Sequence, residues 1–158
     1  MGTATYLVAL GSNRRSGWGP PEAAVRAAAA AIGNVRALSP VLATPALGPA
    51  GRRFANAAAV VASDEGPAAM LRRLKGIERA FGRRGGRRWG ARVIDLDLIG
   101  WSGGAWAGPG LTVPHPRLRE RRFVLAPLAA VAPGWRDPVT GRTARQLLAL
   151  VDRRRPRA

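Results

Sequence analysis

Two aspartates stand two residues apart inside an apolar run, Ile94-Asp95-Leu96-Asp97-Leu98-Ile99. Side chains on a β-strand alternate between its faces. A strand here therefore puts Asp95 and Asp97 on one face and Ile94, Leu96 and Leu98 on the other, where they can enter a core. Neighbouring carboxylates repel unless a cation lies between them or one takes up a proton. Mg²⁺ takes oxygen ligands and is commonly held by one or two carboxylates plus substrate phosphates. Arg83, Arg84, Arg87, Arg88 and Arg92 lie just upstream, and arginine forks match phosphate oxygens. The stretch reads as a metal and polyphosphate site on a strand. The plain alternative is a solvated strand face that holds no metal.

The flanking sequence supplies elements to position such a site. Residues 3–10 read as a buried strand, stopped by the turn Gly11-Ser12-Asn13. Residues 20–32 predict an alanine-rich helix opened by proline and ended by Gly33-Asn34. A second strand is expected over 35–43, with Pro40 marking an edge or a bulge. Residues 44–53 carry proline and glycine breaks and read as a loop, and 55–63 as a third strand. Met70, Leu71, Leu74, Ile77 and Phe81 recur at helical spacing, so 67–81 predicts a helix with Gly82 at its C-terminal end. A glycine-arginine loop over 83–88 leads to the fourth strand, 93–101. A turn at 102–104, a short hairpin arm over 105–113 and the rigid Pro114-His115-Pro116 follow. Residues 123–132 predict a helix. Thr143-Ala144-Arg145-Gln146 has the form of a capping box before a last short helix, and 153–158 reads as a frayed tail. The order β-α-β-β-α-β is that of a split βαβ, or ferredoxin-like, unit. The expected fold class is α+β, a mainly antiparallel sheet with helices packed on it, in a single domain over residues 1–158.

Composition narrows the function classes. The chain has 158 residues, 47% of them hydrophobic, enough for one core. Cysteine is absent, which excludes disulfides, thiolate metal sites and cysteine nucleophiles. No apolar run approaches the length of a membrane span. Residues 1–6 hold no basic segment leading into a long apolar stretch. A cytoplasmic protein without a membrane partner is the expectation. The formal charge of +17 is nearly all arginine, since Lys75 is the only lysine. Such a charge attracts polyanions of any kind, but the abundance of alanine, glycine, proline and arginine also reads as compositional bias.

Other residues suggest a ligand. Phe54, Trp89 and Phe123 adjoin polar or basic residues and form either core or a slot for a flat heterocycle. The Asn56 amide both donates and accepts, so it suits the edge of such a ring. His115, the only histidine, sits in an extended segment and reads as structural or as a phosphate contact. Arg-Gly-Gly-Arg segments occur in RNA-binding tails, yet this one is short, single and set between a helix and a strand. A lid over a nucleotide fits it better, because closure excludes water from phosphoryl transfer.

Taken in order, the pieces resemble the 6-hydroxymethyl-7,8-dihydropterin pyrophosphokinase family of folate biosynthesis. They are Ala9-Leu10-Gly11-Ser12-Asn13, Thr44-Pro45-Ala46-Leu47-Gly48-Pro49, Phe54-Ala55-Asn56 and Ile77-Glu78-Arg79 with Gly82-Arg83. Then come Arg88-Trp89-Gly90-Ala91-Arg92 with Asp95-Leu96-Asp97, Val113-Pro114-His115-Pro116, and Arg121-Arg122-Phe123-Val124-Leu125 with Pro127-Leu128. The resemblance implies transfer of the β,γ-pyrophosphoryl group of ATP to the pterin's hydroxymethyl group, with release of AMP. It implies that Asp95 and Asp97 hold two Mg²⁺ ions, and that Arg83 and Arg92 neutralise developing charge. Glu78, Leu98, Thr112, His115 and Arg121 match ATP-side positions. Phe54 and Phe123 match a pterin sandwich, read at its edge by Thr44, Pro45, Leu47 and Asn56 and closed by Trp89. The implied partners are these small molecules, with no specific nucleic acid, and the implied assembly is a monomer.

The chain departs from the family pattern at Ala91, where proline is usual, and at Leu42, where an aromatic is frequent. Lys75 stands where a glutamine can contact nucleotide, and the arginine loop is rearranged. Two other classes remain open on the residues alone. One is a basic nucleic-acid-binding module, which has no use for two aspartates that repel phosphate. The other is a kinase that transfers only the γ-phosphate.

Overall fold

The computed structural model describes residues 2–44, 54–82 and 93–154. The elements follow in chain order: β1 (Ala4–Ser12), α1 (Pro21–Ile32), β2 (Val35–Leu38), β3 (Leu42–Thr44), β4 (Phe54–Ser63), α2 (Pro67–Ala80) and β5 (Asp95–Trp101). The arm β6 (Trp106–Gly108) and β7 (Leu111–Val113), a 3₁₀ turn (Leu118–Glu120), α3 (Arg122–Val131) and α4 (Ala144–Arg154) complete the chain. The main sheet runs β2-β4-β1-β5, with β3 also paired to β4, and every pairing in it is antiparallel. β4 lies between the strands of β1-α1-β2, and β1 lies between those of β4-α2-β5. That is the split βαβ expected from the element order.

Alternation along the strands builds two cores. Tyr6, Val8 and Leu10 of β1 and Leu96 and Leu98 of β5 pack against Val25 and Ile32 of α1 and Met70 and Leu74 of α2. Leu7, Ala58 and Ile99, on the other face, pack against Val124, Leu125 and Leu128 of α3 and Leu147 of α4. Alternation lets β5 serve both layers, Leu96 and Leu98 on one face and Ile99 on the other, and a break in register follows. Leu7 pairs with Gly100 and Val8 with Leu98, so Ile99 is the extra residue of a bulge. Among the described residues no helix is long and apolar enough to cross a membrane.

Several boundaries differ from the sequence expectation. The strand expected over 35–43 is two strands, broken at Ser39-Pro40, because proline cannot donate to the ladder. Ser39 makes good the break, its hydroxyl accepting from the Ala58 N–H at 2.9 Å. Thr44 ends β3 rather than opening a loop, and β1 continues through Gly11 to Ser12 rather than turning there. Arg153 and Arg154, expected in a frayed tail, are the last residues of α4. α3 begins at Arg122 and accommodates Pro127 within it. The capping box forms as read: Thr143 N–H donates to the Gln146 side chain at 2.9 Å, and Gln146 N–H to the Thr143 hydroxyl at 3.1 Å.

The connection between α3 and α4 is built around Asp137, which is fully buried. Arg119 donates to it twice, from Nε at 2.6 Å and from the guanidinium NH₂ at 2.8 Å. Val139 N–H and the Thr140 hydroxyl complete its acceptor sites at 3.0 and 2.8 Å. Burial alone would raise this carboxyl, but the four donors override burial and hold it at about 2. The unfolded chain binds that proton near 3.8. The stabilisation is therefore complete above the unfolded value and is lost as pH falls through the folded one. Urea unfolding from about pH 5 down to about pH 2 should show the wild type losing on the order of 2 kcal/mol more than Asp137→Asn. Parallel pH profiles for the two proteins would show that the pair contributes nothing.

Candidate active site

α3 and α4 cover only part of their face of the sheet. Beyond Leu7 and Ala58 the floor lies open, and small residues keep it open. Gly11 pairs with Asn56 on one side and with Asp95 on the other, while Ala9 pairs with Ala58 and Asp97. Asn56, Gly11 and Asp95 thus form one row across three strands. A Cβ at Gly11 would stand 3.0 Å from the Asn56 side-chain oxygen. Glycine lets that amide lie over β1, the close approach that glycine inside a strand signals.

The resulting cleft is about 500 Å³. Its floor is Ala9, Gly11, Asn56, Asp95 and Asp97, and its walls include Phe54, Arg117, Arg121 and Phe123. Phe54 lies two residues before Asn56 on the same strand face, and Phe123 stands on the first turn of α3. They remain 45% and 43% exposed. Large aromatics left in solvent inside one cleft mark a surface shaped for a ligand. The Arg121 guanidinium carbon is 5.7 Å from the centre of the Phe123 ring, a cation–π distance.

The electrostatics centre on Asp97. Burial raises its carboxyl and the Asp95 charge raises it further, while His115, Lys75 and Arg121 act in the opposite sense. His115 is lowered, first by burial and then by Arg121 and Arg117 against the pull of Asp97. Glu78 stands behind this group on α2, 3% exposed. It accepts the Leu96 N–H at 2.7 Å and lies 3.3 Å from Lys75 Nζ. Its carboxyl is raised by burial and by its hydrogen bond and charge contact with Asp95, against Leu96 and Lys75. Lys75 Nζ also donates to the Leu96 carbonyl at 3.5 Å. α2 thereby pairs polar groups on the outer edge of β5, which would otherwise be unmatched.

The residues proposed from sequence separate into four groups. Phe54, Asn56, Asp95, Asp97, Arg121 and Phe123 meet in the cleft. Thr44 pairs with Phe54 across β3 and β4, and His115 and Glu78 lie close enough to couple to the aspartates. Leu98 and Thr112 do not line the cleft. The Leu98 side chain is 2% exposed in the core against α1 and α2, so only its backbone is available to a nucleotide. Thr112 is an exposed residue of β7. Pro45, Leu47, Arg83, Trp89 and Arg92 lie outside the described residues, as do Arg84, Arg87 and Arg88. Sequence reasoning missed Arg117 as a wall of the cleft. Its only signal was the spacing of four from Arg121.

The family model for 7,8-dihydro-6-hydroxymethylpterin-pyrophosphokinase (HPPK) matches residues 7–133. A Pseudomonas aeruginosa 2-amino-4-hydroxy-6-hydroxymethyldihydropteridine pyrophosphokinase is 38% identical over 148 residues, covering 90% of this chain and 88% of that protein. A Synechocystis protein of the same name is 40% identical over 107 residues, covering 68% and 55%. The match thus spans about half the length of the Synechocystis relative. A crystal structure of a Plasmodium falciparum HPPK-DHPS triple mutant superposes with a TM-score of 0.69 at 14% identity. It covers 94% of this chain and 43% of that one. This second likeness is one of fold.

The single histidine gives a direct reading of the site's charge. In metal-free buffer its imidazole should titrate below the ordinary 6.5 by NMR. Removing the negative charge with Asp97→Asn should lower it further, since Asp97 is what raises it. A titration unchanged by that variant would mean that His115 does not sense Asp97.

Proposed function

The chain belongs to the 7,8-dihydro-6-hydroxymethylpterin-pyrophosphokinase family, and from that premise we propose that it pyrophosphorylates 6-hydroxymethyl-7,8-dihydropterin with ATP. The pterin's hydroxymethyl oxygen bonds to the β-phosphorus. The bond from that phosphorus to the oxygen of the α-phosphate breaks, AMP leaves and the hydroxyl proton is lost. The observation that supports this reading is one cleft that joins a carboxylate pair to two exposed aromatics and an amide.

The donor set suits a divalent cation. Asp95 and Asp97 offer hard oxygen ligands, and a cation would offset both the burial and the Asp95 repulsion that raise the Asp97 carboxyl. In this reading the two aspartates hold Mg²⁺, as two ions, which neutralises charge along the triphosphate and aligns it for displacement. Arg121 and His115, both coupled to Asp97, offer positive charge and a donor to the phosphate chain. Glu78, Thr112 and the Leu98 backbone take the rest of the nucleotide, with Arg83 and Arg92 on the phosphates. Phe54 and Phe123 flank the pterin ring, the Asn56 amide reads its edge beside Thr44, Pro45 and Leu47, and Trp89 closes over it. The chain acts as a single domain and a monomer on cytoplasmic small molecules.

Incubation of the purified chain with Mg-ATP and 6-hydroxymethyl-7,8-dihydropterin should yield AMP, and only when both pterin and metal are present. ADP in its place would mean γ-phosphoryl transfer. No turnover, with salt-sensitive RNA binding, would move the basic-module reading to first place. Asp97→Ala should leave the circular dichroism spectrum unchanged and lower kcat by at least about a hundredfold; near-normal turnover would sink the metal assignment. Asn56→Ala should raise the pterin KM by about tenfold or more while sparing the ATP KM, because unpaired ring-edge groups are costly to bury. Equal rises in both KM values would remove Asn56 from the pterin edge.

A further inference from the structure

Two arginines enter the cleft from the segment between β7 and α3, whose middle is a single short turn. Arg117 and Arg121 both line the cleft. They flank the single 3₁₀ turn Leu118–Glu120. The backbone bonds of this turn are local: Leu118 N–H donates to His115, Glu120 to Arg117 and Arg121 to Leu118. The segment is tied at its two ends, where His115 N–H donates to the Ile99 carbonyl of β5 and the Arg121 carbonyl starts α3, and between those ends two side chains set the orientation of the turn. Leu118 is fully buried, and Arg119 points away from the cleft into the carboxylate of Asp137.

That acceptor is assembled in advance. Asp137 N–H donates to the Arg142 carbonyl and its own carbonyl accepts from Gly141 N–H, both at 2.8 Å. Val139 and Thr140 hold the remaining positions on the carboxylate. Arg119 meets this fixed group with two parallel bonds of 2.6 and 2.8 Å. A two-point fork sets orientation as well as distance, which a point charge does not. The other ion pair of the turn, Arg117 with Glu120, is exposed on both sides and contributes little. Arg117, Arg119, Arg121 and Arg122 also crowd four positive charges into six residues. Neutralising Arg119 from behind leaves Arg117 and Arg121 to face an anion.

We propose that Asp137, acting through Arg119, is the positioning residue that sets Arg117 and Arg121 over the phosphate side of the cleft. The inference rests on the cleft being the ATP site, and it adds a residue from the α3–α4 connection that touches no substrate. Rotation of the turn, freed from Asp137, would move both arginines, because they are the residues that flank it at its two ends.

The test is a double-mutant cycle read by calorimetric binding of Mg–α,β-methylene-ATP. Arg119→Lys keeps the charge and the packed stem, so the chain stays folded, and removes only the fork. It should weaken the analogue by about tenfold. In an Arg117→Ala/Arg121→Ala background the same change should have almost no further effect, since both groups it positions are gone. Asp137→Asn should give the same pattern. A loss of equal size in both backgrounds would mean a general structural role and would overturn the inference. An Arg119→Lys chain that binds like the wild type overturns it also, while leaving the proposed function standing. A wild-type chain that binds no analogue removes the ATP site itself, and this inference with it.

Discussion

Two carboxylates on one face of a strand repel, and the rest of the molecule holds them there. Asp95 and Asp97 cannot separate, because Leu96 between them and Leu98 after them are fixed in the core against α1 and α2. The outer edge of β5 is pinned as well, with Glu78 and Lys75 of α2 bound to the Leu96 N–H and carbonyl. His115, Lys75 and Arg121 offset part of the repulsion at Asp97. What remains is a group of negative oxygens under tension, set in a ring of positive charge. On the proposed function, such a site would take a cation and then a polyanion more readily than either alone.

The cleft exists because the second sheet face is only partly covered. α3 packs on Leu7, Ala58 and Ile99 and then stops, leaving Ala9 and Gly11 as a shallow floor. A large residue at either position would fill the space in which Asn56 and the aspartates meet. Phe54 and Phe123 stand on elements far apart in sequence, the start of β4 and the start of α3. They come to the same opening because β4 and α3 both border it. Their exposure is a cost in water that a flat bound ring would recover.

Charge composition and charge placement are separate matters. A formal +17 over 158 residues is compatible with any polyanion. The cleft uses only a few of those positive groups among the described residues, chiefly Arg117 and Arg121 with Lys75 nearby. Elsewhere arginines serve the fold. Arg119 is consumed by Asp137, Arg122 pairs with Asp152 of α4 and Arg73 pairs with Glu65. The orientation of a few arginines, more than their total, separates this cleft from a general polyanion surface.

Local pattern made much of this legible in advance. Period-two alternation located β5 and put its aspartates on one face, and helical spacing located α2. The element order was enough for the split βαβ sheet, and the reciprocal bonds of Thr143 and Gln146 followed from three-residue spacing. Each of these depends on residues close in sequence, so the information is local. The rest depended on long-range packing. Gly11 reads locally as a turn and proves to be a strand residue, because β4 and β5 pair with it on both sides. The bulge at Ile99, which sets Gly100 rather than Ile99 opposite Leu7, has no signal in the local pattern. Arg119 is one of four arginines in six residues, and only the folding of Asp137 against it, 18 residues later, distinguishes it from its neighbours. The sequence by itself determined which chemical groups are present and which face of each element they occupy. Tertiary structure decided which faces meet, because that depends on the order in which distant elements stack on one sheet.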